Sequence, residues 1–383
     1  MHILELPSFF PPLGGLFCLD QAKALQSLGH EVRILSNVQL GATLSLRDFI
    51  TLPYQRYEHQ MDGITVFQSF QRGIPRAVRY NVNHWLSIVR SMFKTYVANY
   101  GRPDILHAHC AKWAGYAAML MSEEYHIPYI ITEHLSYQIF RDEFGPAPSK
   151  AWQVPLLTDA YRRANCVVHV SKEQADRLAC YFGRDYRWQA ISNMIDVDFY
   201  ALRSRDLLAD RKFRFCCLAN YWPMKGYDVL FDAFRMLRRQ MSDIELHIAG
   251  AGTDSQACRS QLSDGMTTHG LLDRKGVRDL LYQSDALVLA TRSETQGLVL
   301  LEAMSTGIPA ISTTAIPESV RLKGLTTVPV DDVEALATAM RHHVMHIHTK
   351  SEGEAMSRAV RDFASPQVIG HQLSALFTSL LSC

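Results

Sequence analysis

Residues 287–313 read LVLATRSETQGLVLLEAMSTGIPAIST, and this stretch decides the fold. An apolar run ends at Thr291, and a polar loop follows with Arg292, Ser293, Glu294 and Thr295. Gly297 opens a helix that Gly307 and Pro309 close before a second apolar run, AIST. Strand, loop, helix, strand is the repeating unit of a parallel sheet, and ligands gather at the carboxyl ends of such strands. Three features meet at the loop. The backbone amides near Gly297, Leu298 and Val299 form an anion site at a helix N-terminus. Glu294 stands at the strand's carboxyl end, and Glu302 lies just over a turn inside the helix, leaning back towards the N-terminus. Both carboxylates can then bracket one ligand carrying a diphosphate and hydroxyl-rich sugars. A capping Glu294 and a surface Glu302 would show the same spacing, and the glycines and the strand–loop–helix setting favour the ligand site.

The same alternation runs outward in both directions. Strands are expected near 2–6, 31–36, 64–69, 104–110, 129–134, 166–171 and 190–194, with helices between most of them, such as 19–28 ended by Gly29. The pattern restarts with RFCCLAN (214–220), ELHIAGAG (245–252), MTTHGL (266–271), ALVLAT (286–291), AIST (310–313) and TTVPV (326–330). The polar stretch RSRDLLADRK (203–212) separates the two series. This predicts an α/β protein of two doubly wound, Rossmann-like domains with the functional cleft between them. SPQVIGHQLSALFTSLLSC (365–383) reads as a final amphipathic helix, capped by Ser365 with Pro366 at its first position.

Composition narrows the function classes. The 383 residues carry 39 Lys plus Arg against 38 Asp plus Glu, with 48% hydrophobic residues, so the chain is neither disordered nor polyelectrolyte. A nucleic-acid partner that needs many phosphates neutralised is not expected. The 8 cysteines include no CxxC and several lie in apolar runs, which fits a reducing cytosol better than a disulfide framework or a zinc ribbon. No apolar run approaches the length of a membrane span, and MHILELPSFFPP reads as a first strand rather than a signal peptide.

With these residues in place, the chain resembles the family-4 retaining glycosyltransferases of the GT-B fold, in motifs spread over almost its whole length. PPLGGLFCLDQAKALQSLGHEV resembles the family's glycine-rich first loop, with Gly14 and Gly15 letting the backbone approach the donor phosphates. DILHAH (104–109) and ITEH (131–134) resemble the two histidine-bearing strand ends of the acceptor side. VSKEQADRL (170–178) and ISNMIDVDFY (191–200) match the approach to the interdomain linker. LANYWPMKGYDVLFDAF (218–234) resembles the motif whose lysine, here Lys225, meets the donor diphosphate. HIAGAGTD (247–254) and THGLLD (268–273) match the turns that hold the nucleoside, and 287–313 matches the family's E-x7-E signature.

The resemblance implies an acceptor-binding domain over 1–200, a donor-binding domain over 201–365, and a helix over 366–383 crossing back to the first. It implies metal-independent transfer, with retained configuration, from a nucleotide-diphosphate sugar, UDP- or GDP-linked, to a hydroxyl of a glycan or lipid-linked acceptor. The sugar nucleotide is substrate, and no further cofactor is implied. Lys225, Glu294 and His134 take the catalytic roles. Gly15, Asn220, Lys225, Gly250, Leu271, Glu294, Gly297, Leu298, Val299 and Glu302 take the donor, with Glu302 on the ribose. Gly14, His109 and His134 take the acceptor side. The chain departs from the family at Asn220, where an Arg is usual, at Gln296, usually aromatic, at NMID for NGVD, and at TTAIPES, which lacks a double glycine. A nucleotide-sugar epimerase of the same fold, or a module that only binds the sugar nucleotide, are the alternative functions.

Weaker signals are read against plainer ones. A strand-end His such as His109 or His134 is commonly a hydrogen-bonded structural residue; the resemblance favours function for both. His107 is expected on the sheet face opposite His109, in the core, which argues against a two-His metal site. GAGTDS (250–255) lacks the third glycine of a dinucleotide fingerprint and reads as a tight turn. DVD (196–198) lies in a structural run and is not expected to hold metal. HHVMHIH (342–348) reads as a solvated helix face. The stretch 72–97 carries five basic residues and no acid, interleaved with Trp85, Leu86, Val89 and Phe93. It reads as a core-packing helix with a basic outer face, or as a peripheral contact of a cytoplasmic enzyme with the inner membrane face.

Overall fold

The computed structural model describes residues 1–41, 56–145, 151–203 and 212–382. The chain divides into two compact units, Met1–Met194 with Pro366–Cys383, and Ile195–Ser365. Most of the polar stretch expected between domains, residues 204–211, lies outside the described residues. Residues 195–200 pack with the second unit rather than the first, because Ile195, Val197 and Tyr200 are buried in its core.

The first unit is built on β1 (His2–Pro7), β2 (Glu31–Leu40), β3 (Tyr57–Met61), β4 (Ile64–Arg72), β5 (Ile105–His109), β6 (Tyr129–Glu133), β7 (Cys166–His169) and β8 (Trp188–Ala190). Their order in the sheet is β3-β4-β2-β1-β5-β6-β7-β8. All neighbours are parallel except β3 and β4. β3 escapes the apolar-run reading because YEHQM is an exposed edge strand. Its signal is Asp62–Gly63, both at positive φ, the pair that a tight hairpin turn requires. β5 and β6 are wholly buried, as strands covered on both faces must be.

Helices α1 (Leu16–Ser27), α2 (Val78–Tyr100), α3 (Tyr116–Tyr125), α4 (Tyr137–Phe144), α5 (Gln153–Arg163) and α6 (Lys172–Phe182) accompany this sheet. In α2, Val82, Trp85, Leu86, Val89, Met92, Phe93 and Tyr96 recur at helical spacing and are buried in the unit's core. The aromatic half of the 72–97 stretch is therefore packing. The C-terminal helix (Pro366–Leu381) belongs to the same unit and places Ile369, Leu373, Leu376 and Phe377 in a core shared with Cys18, Leu19, Ala22 and Leu25 of α1. Gly370 permits the approach, since a Cβ there would stand 3.3 Å from that of Ala24. His30 Nε2 meets Ser374 Oγ at 2.7 Å across the same seam.

Among the described residues the second unit has six strands, β9 (Phe213–Leu218), β10 (Ile244–Ala249), β11 (Met266–Thr268), β12 (Ala286–Leu289), β13 (Ala310–Thr313) and β14 (Leu325–Val328). They are ordered β11-β10-β9-β12-β13-β14 and all are parallel. Chain direction across the sheet reverses at β9, and such a switch opens a crevice at the carboxyl ends of the strands beside it. Helices α7 (Tyr227–Arg238), α8 (Gln256–Arg259), α9 (Arg274–Tyr282), α10 (Leu298–Ser305), α11 (Val333–Met345) and α12 (Lys350–Ala364) complete the unit.

Candidate active site

In the second unit the strand–loop–helix read from residues 287–313 is β12, its loop and α10. Gly297 caps α10 in the left-handed conformation, φ 79°, which only glycine adopts without strain. A cavity of about 320 Å³ opens at the carboxyl ends of β9 and β10 and the start of α10. Its lining includes Asn220, Gly250, Leu271, Leu298, Val299 and Glu302, all read from the sequence as donor-binding, together with Leu218, Ala219, Ala249, Leu272 and Val277. Leu271 is 74% exposed, a large apolar side chain held out beside the cavity.

Glu302 is half-buried, and loss of solvent pushes its carboxyl up to about 7, against the pull of Arg274 and a hydrogen bond with Tyr200. Arg274 is in turn held by Asp196 at 3.0 Å and stacks over Phe199, 4.5 Å from the ring centre. Asp196 also accepts from the Phe199 amide at 3.0 Å, and Asp198 pairs with Arg361 at 3.0 Å. Both carboxylates of the DVD run are thus committed to arginines. Asn220, where the family usually has Arg, accepts from the Ala251 amide at 3.1 Å and braces the turn after β10.

Lys225 ends a 3-10 turn, Pro223–Lys225, and its ammonium forms an ion pair with Glu294. Gly226 makes this possible. It is left-handed at φ 65°, and a Cβ there would fall 1.9 Å from the carbonyl oxygen of Ala290. Glu294 lies against the mouth of α10, with its Cγ 3.9 Å from where a Gly297 Cβ would be. Arg292, placed in this loop by the sequence but given no role there, proves to be its anchor. Its amide donates to Met224 O at 2.7 Å, its Nη1 to Pro223 O at 2.5 Å, its Nη2 to Asp228 at 2.7 Å and its Nε to Asp331 at 2.6 Å. One guanidinium therefore ties the Lys225 turn to the strand end that bears Glu294. Arginine beside a backbone carbonyl has no sequence signature, so only the fold reveals it.

In the first unit, Gly14 and Gly15 take φ 91° and 86°, and Gly15 caps α1. A Cβ on Gly15 would lie 2.1 Å from Phe9 O, so the loop closes only on glycine. The histidines sit at the ends of β5 and β6. His109 Nε2 meets Glu5 Oε2 at 2.7 Å, and its Nδ1 meets His134 Nε2 at 3.1 Å. Phe17 of α1 stacks on His134 with ring centres 3.8 Å apart. Glu133, also buried, accepts from Leu135 N at 2.8 Å, Ala111 N at 3.1 Å and Tyr161 Oη at 2.9 Å, which sets the turn carrying His134.

His107 does not face away from His109. Successive side chains of a strand alternate, so residues two apart share a face. The two rings lie 4.5 Å apart, and His107 Nδ1 is 2.8 Å from the same Glu5 oxygen. His107 is indeed buried, and Glu5, His107 and His109 bring potential metal-ligand atoms within 4.8 Å of one another. Burial opposes ionisation of Glu5, yet the two imidazoles hold its carboxyl at about 2. Burial pushes His109 down and His134 well down, so both stay neutral at pH 7. In the HHVMHIH run, His342 and His346 stack at 4.3 Å on one helix face as read, but His343 is buried and bonded to Thr326 at 3.0 Å.

Residues 15–199 match the model of Glycosyltransferase Family 4, and residues 212–345 match that of Glycosyl transferases group 1. The chain belongs to the family-4 glycosyltransferases. It is 30% identical over 215 residues to the GDP-mannose-dependent alpha-(1-6)-phosphatidylinositol monomannoside mannosyltransferase of Mycolicibacterium smegmatis, covering 49% of this chain and 56% of that one. It is 26% identical over 368 residues to the glycogen synthase of Mycobacterium tuberculosis, covering 89% of this chain and 85% of that one. Among solved structures, Anabaena Alr3699/HepE in complex with UDP and glucose superimposes with a TM-score of 0.72 at 15% identity, covering 99% of this chain and 100% of that one. The fold of this family-4 member is thus GT-B, two parallel-sheet α/β domains. Glycosyltransferases of this kind use nucleotide sugars. None of the described helices is long and apolar enough to cross a membrane.

Proposed function

We propose that the chain transfers a sugar from a nucleotide-diphosphate donor to a hydroxyl of a glycan or lipid-linked acceptor, with retained configuration and without metal, in the cytoplasm. The cavity lined by Asn220, Gly250, Leu271, Leu298, Val299 and Glu302 carries this reading. Its apolar walls suit a nucleoside, and Glu302 in its lining suits the ribose hydroxyls. The diphosphate then runs to the amides of Leu298 and Val299, where it draws Lys225 from its ion pair with Glu294. Charge grows on the leaving phosphate as the glycosidic bond breaks, and Lys225 with the helix amides stabilises it. Glu294, released, takes hydroxyls of the sugar. The leaving phosphate oxygen accepts the acceptor's proton.

The name of the M. smegmatis relative carries GDP-mannose and a phosphatidylinositol glycoside, and the Anabaena complex holds UDP. Both donor bases are therefore carried forward. Calorimetry with UDP, GDP and ADP tests the reading. One nucleotide should bind clearly better than the others, and Glu302→Ala should weaken it about tenfold or more. A protein that binds none of the three has no donor site of this kind.

A further inference from the structure

Three neighbouring strands of the first unit carry one continuous line of hydrogen bonds that ends at His134. β1, β5 and β6 lie side by side, with Glu5 in register with His107 and His109 in register with Thr132. Glu5, His107 and His109 share a sheet face, and all three are fully buried. One carboxylate oxygen, Glu5 Oε2, meets both imidazoles, His107 Nδ1 at 2.8 Å and His109 Nε2 at 2.7 Å. Through their other nitrogens, His107 Nε2 meets Thr132 Oγ1 at 2.7 Å and His109 Nδ1 meets His134 Nε2 at 3.1 Å. The His134 ring lies within 11° of parallel to that of His109, and Phe17 stacks on it with ring centres 3.8 Å apart. The line therefore runs from a buried carboxylate, through one imidazole, to a second imidazole at the strand end.

Each of these bonds uses one hydrogen, and the carboxylate decides which nitrogen carries it. The two imidazoles keep Glu5 ionised, so it only accepts. His109 then carries its hydrogen on Nε2, because a bare nitrogen 2.7 Å from a carboxylate oxygen would set lone pair against lone pair. Burial keeps His109 neutral, with that single ring hydrogen, so its Nδ1 is a lone pair. The contact with His134 forms only when His134 Nε2 carries the hydrogen. His134, neutral as well, is left with a bare Nδ1. We propose that Glu5 and His109 are positioning residues for sugar transfer, a relay that fixes the ring of His134 and makes its Nδ1 an acceptor of hydrogen bonds. The inference rests on the transferase reading, in which His134 meets the sugars. The Asn193 side chain also meets this ring. A sugar hydroxyl that takes the place of Asn193 donates its hydrogen to His134 and cannot accept one from it. A purely structural ion pair between β1 and β5 is the competing reading, and it assigns no direction to the bond between His109 and His134.

Nitrogen NMR on the full chain with isotope-labelled histidine rings reads these hydrogens directly, with His109 and His134 assigned from the signals lost in His109→Gln and His134→Gln. In the parent, the hydrogen on His134 Nε2 should couple across the bond to His109 Nδ1, and His109 should carry its own hydrogen on Nε2. Glu5→Leu, which removes the acceptor, should lose that coupling, and Glu5→Gln, whose amide oxygen still accepts, should keep it. Turnover of the sugar nucleotide that binds best should fall about tenfold or more in Glu5→Leu and recover in Glu5→Gln. Nucleotide affinity should stay that of the parent in both, because the donor cavity lies in the second unit. If Glu5→Leu does not fold, the direction of the coupling in the parent still decides. A hydrogen on His109 Nδ1 in the parent, or a folded Glu5→Leu with parental coupling or turnover, would overturn the relay. So would one equivalent of a transition metal in the purified protein that Glu5→Gln releases, since a metal takes the place of these hydrogens. A failed relay leaves nucleotide binding intact, and a failed donor site leaves the histidine spectrum intact.

Discussion

Glu302 sits one turn inside α10, and the loss of solvent there holds its proton up to about 7. A carboxyl whose folded value is raised contributes stability below its unfolded value near 4.5, and this is lost as pH rises through 7. Above pH 7 the ligand-free protein therefore carries an ionised Glu302 at a cost. Glu302→Gln should be more stable than the parent at pH 8, on the order of 2 kcal/mol, and equal to it near pH 4. Denaturant melts at the two pH values check the sign. The same variant should bind nucleotide about tenfold more weakly, since a carboxylate accepting from ribose hydroxyls is worth ~1.5–3 kcal/mol. A residue that destabilises the empty protein and serves the ligand belongs to a site. Lys225 makes a different prediction. Lys225→Ala should lower turnover more than donor affinity, because phosphate charge is greatest in the transition state. If only affinity falls in steady-state kinetics, the lysine merely docks the donor. Glu294 and Glu302 were singled out by the strand–loop–helix around Gly297, whereas Lys225 was singled out only by the resemblance to the family's motif. The two roles of Glu5, binding His107 and His109 together, were not legible in the sequence, since its partners lie about a hundred residues away.

At the scale of elements, the junction of the Pro223–Lys225 turn with the end of β12 is the most demanding part of the second unit. Gly226 admits no Cβ, and Arg292 fastens the turn through Pro223 O, Asp228 and Asp331. Gly226→Ala must move β12 or the turn, and a loss of about 3 kcal/mol or more is expected in equilibrium unfolding. Arg292→Ala should cost less stability but act through Lys225. In a double-mutant cycle on turnover, the two alanine changes should be non-additive by about 0.5–3 kcal/mol. Additive losses would reduce Arg292 to a surface clamp. Ser136, Ser171, Asp273, Asp332 and Thr349 each cap a helix with a side-chain oxygen, so these starts are fixed by residues local to them. Strand β3 was hidden because an edge strand needs no apolar run, and only Asp62–Gly63 marked it.

At the scale of the whole molecule, the chain leaves its first unit at Met194, builds the second, and returns from Pro366 onwards. Removing residues 366–383 would uncover the α1 surface covered by Ile369, Leu373, Leu376 and Phe377. At ~1.5–3 kcal/mol for each buried side chain, the loss rivals the net stability of a domain. The truncated protein should expose apolar surface, read by dye binding, while the parent does not. The metal question is also decided on the intact protein. Transfer should survive excess EDTA, because Lys225 and the α10 amides are assigned the diphosphate charge. A strict need for Mn²⁺ or Mg²⁺ would return attention to the buried Glu5, His107 and His109 group.

What the sequence determined by itself is local in origin. Alternating apolar runs and helical periods specify two mostly parallel α/β sheets, and glycine with a polar flank specifies the tight turns at strand ends, because these depend on backbone sterics and on burial of nearby residues. The E-x7-E spacing likewise follows from helix geometry over little more than two turns. Tertiary structure alone decided which side chains meet: Arg292 over the Lys225 turn, Glu5 between two histidines, and Phe17 on His134. Those partners are brought together by sheet order and by helix packing. Both are set by the free energy of the whole core, and no short window of residues encodes it.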